Sequence, residues 1–147
     1  MNKIRVLLAD DHRAVLERVS AMLAEEFDVV GMAENGRDAV DAVARLDPDV
    51  VVIDISMPVL DGLMAAAQLH RAGCRTRIVF LTIHADQDFV AAAFSAGASG
   101  YVTKANAGSD LVPAIREVVE GNIFVSKPLR GYVPPLSQAT GLPGSKT

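Results

Sequence analysis

Short apolar runs that end in acids, hydroxyls or a lysine alternate with segments of helical period, and this rhythm constrains the chain more than any other feature. Ile4 to Ala9 leads into Asp10 and Asp11, Val51 to Ile53 into Asp54, Ile78 to Leu81 into Thr82, and Gly100 to Val102 into Thr103 and Lys104. Between them, apolar residues recur at helical spacing: Val15, Val19, Met22 and Leu23; Ala39, Val40, Val43 and Leu46; Phe89, Val90, Ala93 and Phe94. A last set, Leu111, Val112, Ile115, Val118 and Val119, follows the run that ends at Lys104. Strands that are apolar throughout must be covered on both faces, and five strand-helix repeats predict a parallel sheet. Right-handed crossovers place helices on both sides, so the expectation is an α/β protein with a doubly wound, five-stranded parallel sheet. Pro48 is expected to stop the second helix. The third, alanine-rich helix (63–72) should stop at Gly73, the fourth (86–96) at Gly97, and the last at Gly121. Pro113 is tolerable in the last helix if it lies near the first turn.

In open α/β sheets, ligands gather beyond the carboxyl ends of the strands. Asp10, Asp11 and Asp54 stand at such ends, and two strands of one sheet would bring the three acids together. At about 4 Å and an effective dielectric near 20, each pair of charges repels by roughly 4 kcal/mol, so a counter-charge is needed. Mg²⁺ is suited to it, because it prefers oxygen ligands and often binds one or two carboxylates plus a phosphate. Lys104 is placed to neutralise charge on the acids and on a phosphoryl group, and Thr82 to hydrogen-bond a phosphoryl oxygen.

With Met57-Pro58 and Asp61-Gly62 after Asp54, these residues make the chain resemble the receiver domain of two-component response regulators, over residues 3 to about 126. The resemblance implies a flavodoxin-like, CheY-like (βα)5 fold and makes Asp54 the phospho-acceptor. Mg²⁺ would be bound by Asp11, Asp54 and the Ser56 backbone carbonyl, with Asp10 assisting through water. Thr82 and Tyr101 would be the switch pair, Lys104 the phosphate-contacting lysine, and Asp54 with Lys104 the catalytic groups for the chain's own phosphotransfer and dephosphorylation. The implied partners are a sensor histidine kinase and possible small phosphodonors. A homodimer is expected on phosphorylation, through the fourth helix, fifth strand and fifth helix. Leu81-Thr82-Ile83-His84, the stretch from Ala96 to Lys104, and Glu120-Gly121 with Val125-Ser126 resemble the NarL/FixJ branch, whose members usually carry a LuxR-type helix-turn-helix.

The stretch after Gly121 departs from that branch. Pro128, Pro134, Pro135, Gly141, Pro143 and Gly144 crowd it, and no second amphipathic helix pair appears. The division expected is therefore a receiver over 1–121 and a tail or truncated linker over 122–147, although Ile123 to Val125 is apolar enough to pack back. DNA binding is expected only if an effector domain is present. A second departure is Ala105, where many receivers have proline after the lysine; a cis peptide there would cost about 3 kcal/mol.

Composition narrows the remaining classes. The 147 residues are 50% hydrophobic, enough for one ordinary core, and the net charge of −4 argues against a broad nucleic-acid-binding face. Cys74, a single cysteine, cannot form an internal disulfide. No signal peptide and no run of roughly 20 apolar residues is recognisable, so a cytoplasmic location without membrane insertion is expected.

Each residue has a plainer reading: Asp10 and Asp11 as a helix cap and a first-turn acid, Asp54 and Lys104 as solvated loop charges, Tyr101 as a half-buried strand aromatic. His84 reads as an exposed loop histidine near the pocket mouth, and His12 and His70 as helix-surface residues without metal-ligand partners nearby in sequence. Coincidence at the ends of four strands is what sets the plain readings aside. A haloacid-dehalogenase-type phosphatase would need an acid where Ser56 stands, and a dinucleotide site a glycine-rich turn where Asp10 and Asp11 stand. A phosphorylation-independent interaction module is the alternative function.

Overall fold

The computed structural model describes residues 3–132. Its strands are β1 (Arg5–Ala9), β2 (Asp28–Ala33), β3 (Val50–Ile53), β4 (Arg77–Thr82), β5 (Gly100–Thr103) and β6 (Phe124–Val125). Its helices are α1 (Arg13–Leu23), α2 (Gly36–Leu46), α3 (Gly62–Arg71), α4 (Gln87–Ser95) and α5 (Ala107–Val119). All strand pairs are parallel, in the order β2-β1-β3-β4-β5-β6. The doubly wound fold is as read from sequence, but the sheet has six strands where five were expected.

Pleating sorts the apolar strands into two layers. Leu7, Val51, Ile53, Phe80 and Tyr101 face α2, α3 and α4, while Val6, Leu8, Val50, Val52, Val79, Leu81 and Val102 face α1 and α5. The run Val50 to Ile53 shows no alternation in sequence because both of its faces are buried. Truncating one of these central side chains to alanine would cost about 2–5 kcal/mol.

Helix ends follow local chemistry. Asn35, Asp61 and Asp86 are N-caps whose side chains accept from Asp38, Met64 and Phe89 N–H groups. Asp47, in the left-handed region (φ 50°), ends α2 one residue before Pro48. Gly97 (φ 104°) follows α4. Pro113 departs from expectation: α5 begins at Ala107, so the proline lies in its second turn. Lacking an N–H, it leaves the Ser109 carbonyl without a helical partner, and both residues are exposed, where water serves that carbonyl.

The stretch read as tail begins with ordered structure. Ser126 N–H donates to the Tyr101 carbonyl at 2.9 Å, and the buried Ser126 hydroxyl accepts from Thr103 N–H at 3.2 Å. A 3-10 segment, Lys127–Tyr132, then lays buried Leu129 into the core layer that contains Val90 and Ala93 of α4. The remainder of that stretch, 133–147, lies outside the described residues.

Candidate functional site

Strand register assembles the site. Ala9 pairs with Ile53, and Asp54 N–H donates to the Ala9 carbonyl at 3.0 Å, so the residues that follow β1 and β3 leave the sheet side by side. Thr82 pairs with Thr103, which brings Lys104 to the same rim. Asp10 and Asp54 are buried at 4% exposure each, whereas Asp11 is exposed.

One ammonium joins the two buried acids: Lys104 Nζ lies 2.8 Å from Asp10 Oδ2 and 3.1 Å from Asp54 Oδ2. Burial alone would lower the Lys104 pKa; hydrogen bonds to Asp10 and then Asp54, with their charge, outweigh it and hold the group above its ordinary value. The other Asp54 oxygen, Oδ1, accepts from Ile55 N–H at 2.7 Å. Close approach fixes the floor of the site, since a Cβ at Gly62 would fall 1.9 Å from the Asp54 carbonyl oxygen, while Gly62 N–H donates to the Ile55 carbonyl at 2.7 Å.

Asp10, Asp11, His12 and Asp54 each bring a ligand atom within 4.8 Å of the others, an acidic pocket able to hold a metal ion. Carboxylate oxygens are the donors a hard divalent cation prefers, so the residues fit Mg²⁺ chemically. The capping alternative for the first two acids fails, because His12 is the N-cap of α1 and has no side-chain cap bond. His12 is exposed, as its surface reading expects, yet its ring reaches the two acids. Its Nδ1 lies 3.2 Å from Asp10 Oδ1 and 3.1 Å from Asp11 Oδ1.

The remaining residues meet at His84 rather than at Asp54. Tyr101 is fully buried and donates its hydroxyl to the His84 carbonyl at 2.8 Å; burial, then Asp86 and Asp54, raise its pKa above the ordinary tyrosine value. Thr82 is fully buried too, and its Oγ1 accepts a long 3.4 Å bond from His84 N–H. The imidazole is half-buried, stacks on Phe89 of α4 at 4.0 Å, and its Nε2 is 2.8 Å from Ser56 Oγ. The loop between β4 and α4 therefore touches the loop after Asp54. Only the position of His84 two residues past Thr82 hinted at this in sequence. After Lys104 the peptide is trans, and Lys104–Asn106 forms a 3-10 turn. His70 packs against Gly97, away from the acids.

Residues 6–116 match the family model described as the response regulator receiver domain. The chain is 38% identical over 128 residues to the uncharacterized transcriptional regulatory protein YvfU of Bacillus subtilis, covering 86% of this chain and 64% of that protein. It is 38% identical over 125 residues to the response regulator GacA of Pseudomonas aeruginosa, covering 84% and 58%. It thus spans less than two thirds of either relative. Among solved structures, a LuxR-family two-component response regulator from Aurantimonas superposes with a TM-score of 0.84 at 30% identity, over 90% of this chain and 95% of that one. No helix among the described residues is long and apolar enough to cross a membrane.

Proposed function

The chain belongs to the response regulator receiver domain family, and from that premise we propose that it is a two-component signalling switch that takes a phosphoryl group onto Asp54. The donor is the phosphohistidine of a sensor histidine kinase or a small phosphodonor. The observation that carries this reading is the Lys104 ammonium shared between Asp10 and Asp54. It sets a cation beside the Asp54 carboxylate, the nucleophile, where phosphoryl charge arrives.

In the reaction, an Asp54 carboxylate oxygen attacks phosphorus, the bond from phosphorus to the donor nitrogen breaks, and the nitrogen keeps the electron pair. Lys104 offsets the charge on the phosphoryl oxygens. Mg²⁺ held by Asp10, Asp11, Asp54 and the Ser56 backbone carbonyl would supply further charge neutralisation on those oxygens. Loss of the phosphoryl group to water returns the carboxylate, so the chain acts on itself rather than on a separate substrate.

Signal output is a population shift. Thr82 turns its hydroxyl to the new phosphoryl group and releases the His84 N–H, and Tyr101, tied to the carbonyl of the same residue, follows. Moving from one-in-a-hundred to ninety-nine-in-a-hundred active needs roughly 5.5 kcal/mol, more than one hydrogen bond provides, so lysine, metal and partner contacts contribute. Dimerisation through α4, β5 and α5 in the cytoplasm is one such contact, and DNA is a partner only through an effector domain.

Incubation with Mg²⁺ and acetyl phosphate, followed by intact mass spectrometry, tests the acceptor. A phosphoryl adduct that disappears in Asp54→Asn is the expected result. If no donor yields an adduct, the reading is wrong and an unphosphorylated interaction module takes its place.

A further inference from the structure

We propose that His12 is a nitrogen ligand of the divalent-ion site, which makes the site favour an imidazole-accepting first-row transition ion over Mg²⁺. The inference rests on the metal-site reading above. Donors bound side by side on one ion at about 2.1 Å lie roughly 3 Å apart. The contacts of His12 Nδ1 with Asp11 Oδ1 at 3.1 Å and Asp10 Oδ1 at 3.2 Å have that spacing.

Neither capping nor packing accounts for the position of this imidazole. His12 makes no side-chain cap bond, and its side chain is 67% exposed. Its backbone is held as well, with His12 N–H donating to the same Asp10 Oδ1 at 2.9 Å and its carbonyl accepting from Val15 and Leu16 N–H. Lys104 meanwhile occupies Oδ2 of Asp10 and of Asp54, so the ammonium and the imidazole address different oxygens of Asp10. A site of oxygens alone suits Mg²⁺; adding an imidazole shifts preference towards first-row transition ions. The same contacts would also serve a protonated imidazole that fills the site in place of a metal, and the two arrangements predict opposite effects of removing His12.

The full chain should be titrated with Co²⁺, following its visible absorption, and with Mg²⁺ by competition. Wild type, His12→Ala and His12→Gln are compared, with circular dichroism as the check on folding. The expected result is a hyperfine-shifted imidazole proton resonance in the wild-type Co²⁺ complex that both variants lose. Co²⁺ affinity should fall about tenfold in both, with Mg²⁺ affinity changed by less than about twofold. Co²⁺ bound without that resonance, or bound equally or more tightly by His12→Ala, overturns the inference and leaves the acidic site standing. If Asp11→Asn and Asp54→Asn bind Co²⁺ as well as wild type does, the metal-site reading falls too.

Discussion

The Tyr101 hydroxyl donates to the backbone carbonyl of His84 at 2.8 Å, fastening β5 to the loop that leads into α4. His84 N–H reaches Thr82 Oγ1, and its ring stacks on Phe89, so one residue joins the Thr82 hydroxyl to the face of α4. Tyr101→Phe deletes that fastening and leaves a carbonyl short of its donor. We expect a stability loss of about 1 kcal/mol in urea denaturation. Amide exchange in residues 83–89 should rise while the acetyl phosphate adduct still forms. Unchanged exchange there would contradict the fastening.

Removal of the shared cation by Lys104→Met leaves Asp10 and Asp54 facing each other without it. Phosphorylation by acetyl phosphate should slow by at least about tenfold. At low salt without divalent ions, stability should fall by roughly 1–3 kcal/mol, with part regained on adding Mg²⁺. Equal phosphorylation rates in wild type and variant would remove Lys104 from the mechanism.

The pH dependence of that difference has a definite sign. Because the folded state raises the Lys104 pKa above 10.5, its stabilising contribution is complete below 10.5 and is lost only as pH rises through the higher folded value. The stability gap between wild type and Lys104→Met should therefore be flat from about pH 7 to 9 and close in more alkaline solution. Chemical denaturation across that range measures it.

Gly62 sits where a side chain cannot. In Gly62→Ala the new Cβ meets the Asp54 carbonyl oxygen, so the start of α3 must move away from Asp54. A loss of at least about 2 kcal/mol is expected, with a slower adduct rate in the fraction that folds. Val59 is the opposite case: a β-branched residue at φ 72° and 80% exposed, strained with little burial to offset it. Val59→Gly should raise the thermal midpoint slightly, by the equivalent of about 0.5 kcal/mol, since relief of the left-handed strain exceeds the entropy cost of glycine.

Leu129 tests where the domain ends. Its side chain is buried at 4% exposure in a layer with α4, so Leu129→Ala should cost about 2 kcal/mol and raise amide exchange in α4. A substitution without effect on either would return residues 122–132 to the role of a linker.

The alternation of apolar runs and helical segments, the acids at the strand ends and most helix stops were legible in the chain. Each depends on burial period or on the chemistry of adjacent residues, and both are written locally. Asp10, Asp11, Asp54, Thr82 and Lys104 reach one rim because a parallel sheet aligns the carboxyl ends of its strands. Tertiary structure decided what local period does not encode. The two residues of β6 are too few to show a period, and they become a strand only against the free edge of β5. Pro113 is absorbed into a second helical turn because that face is open to water. His12 joins the acids, and His84 gathers Ser56, Thr82, Tyr101 and Phe89, because loop paths set those distances. A loop has no repeating spacing from which its path can be read. Its geometry is settled only when the sheet and helices it connects have packed.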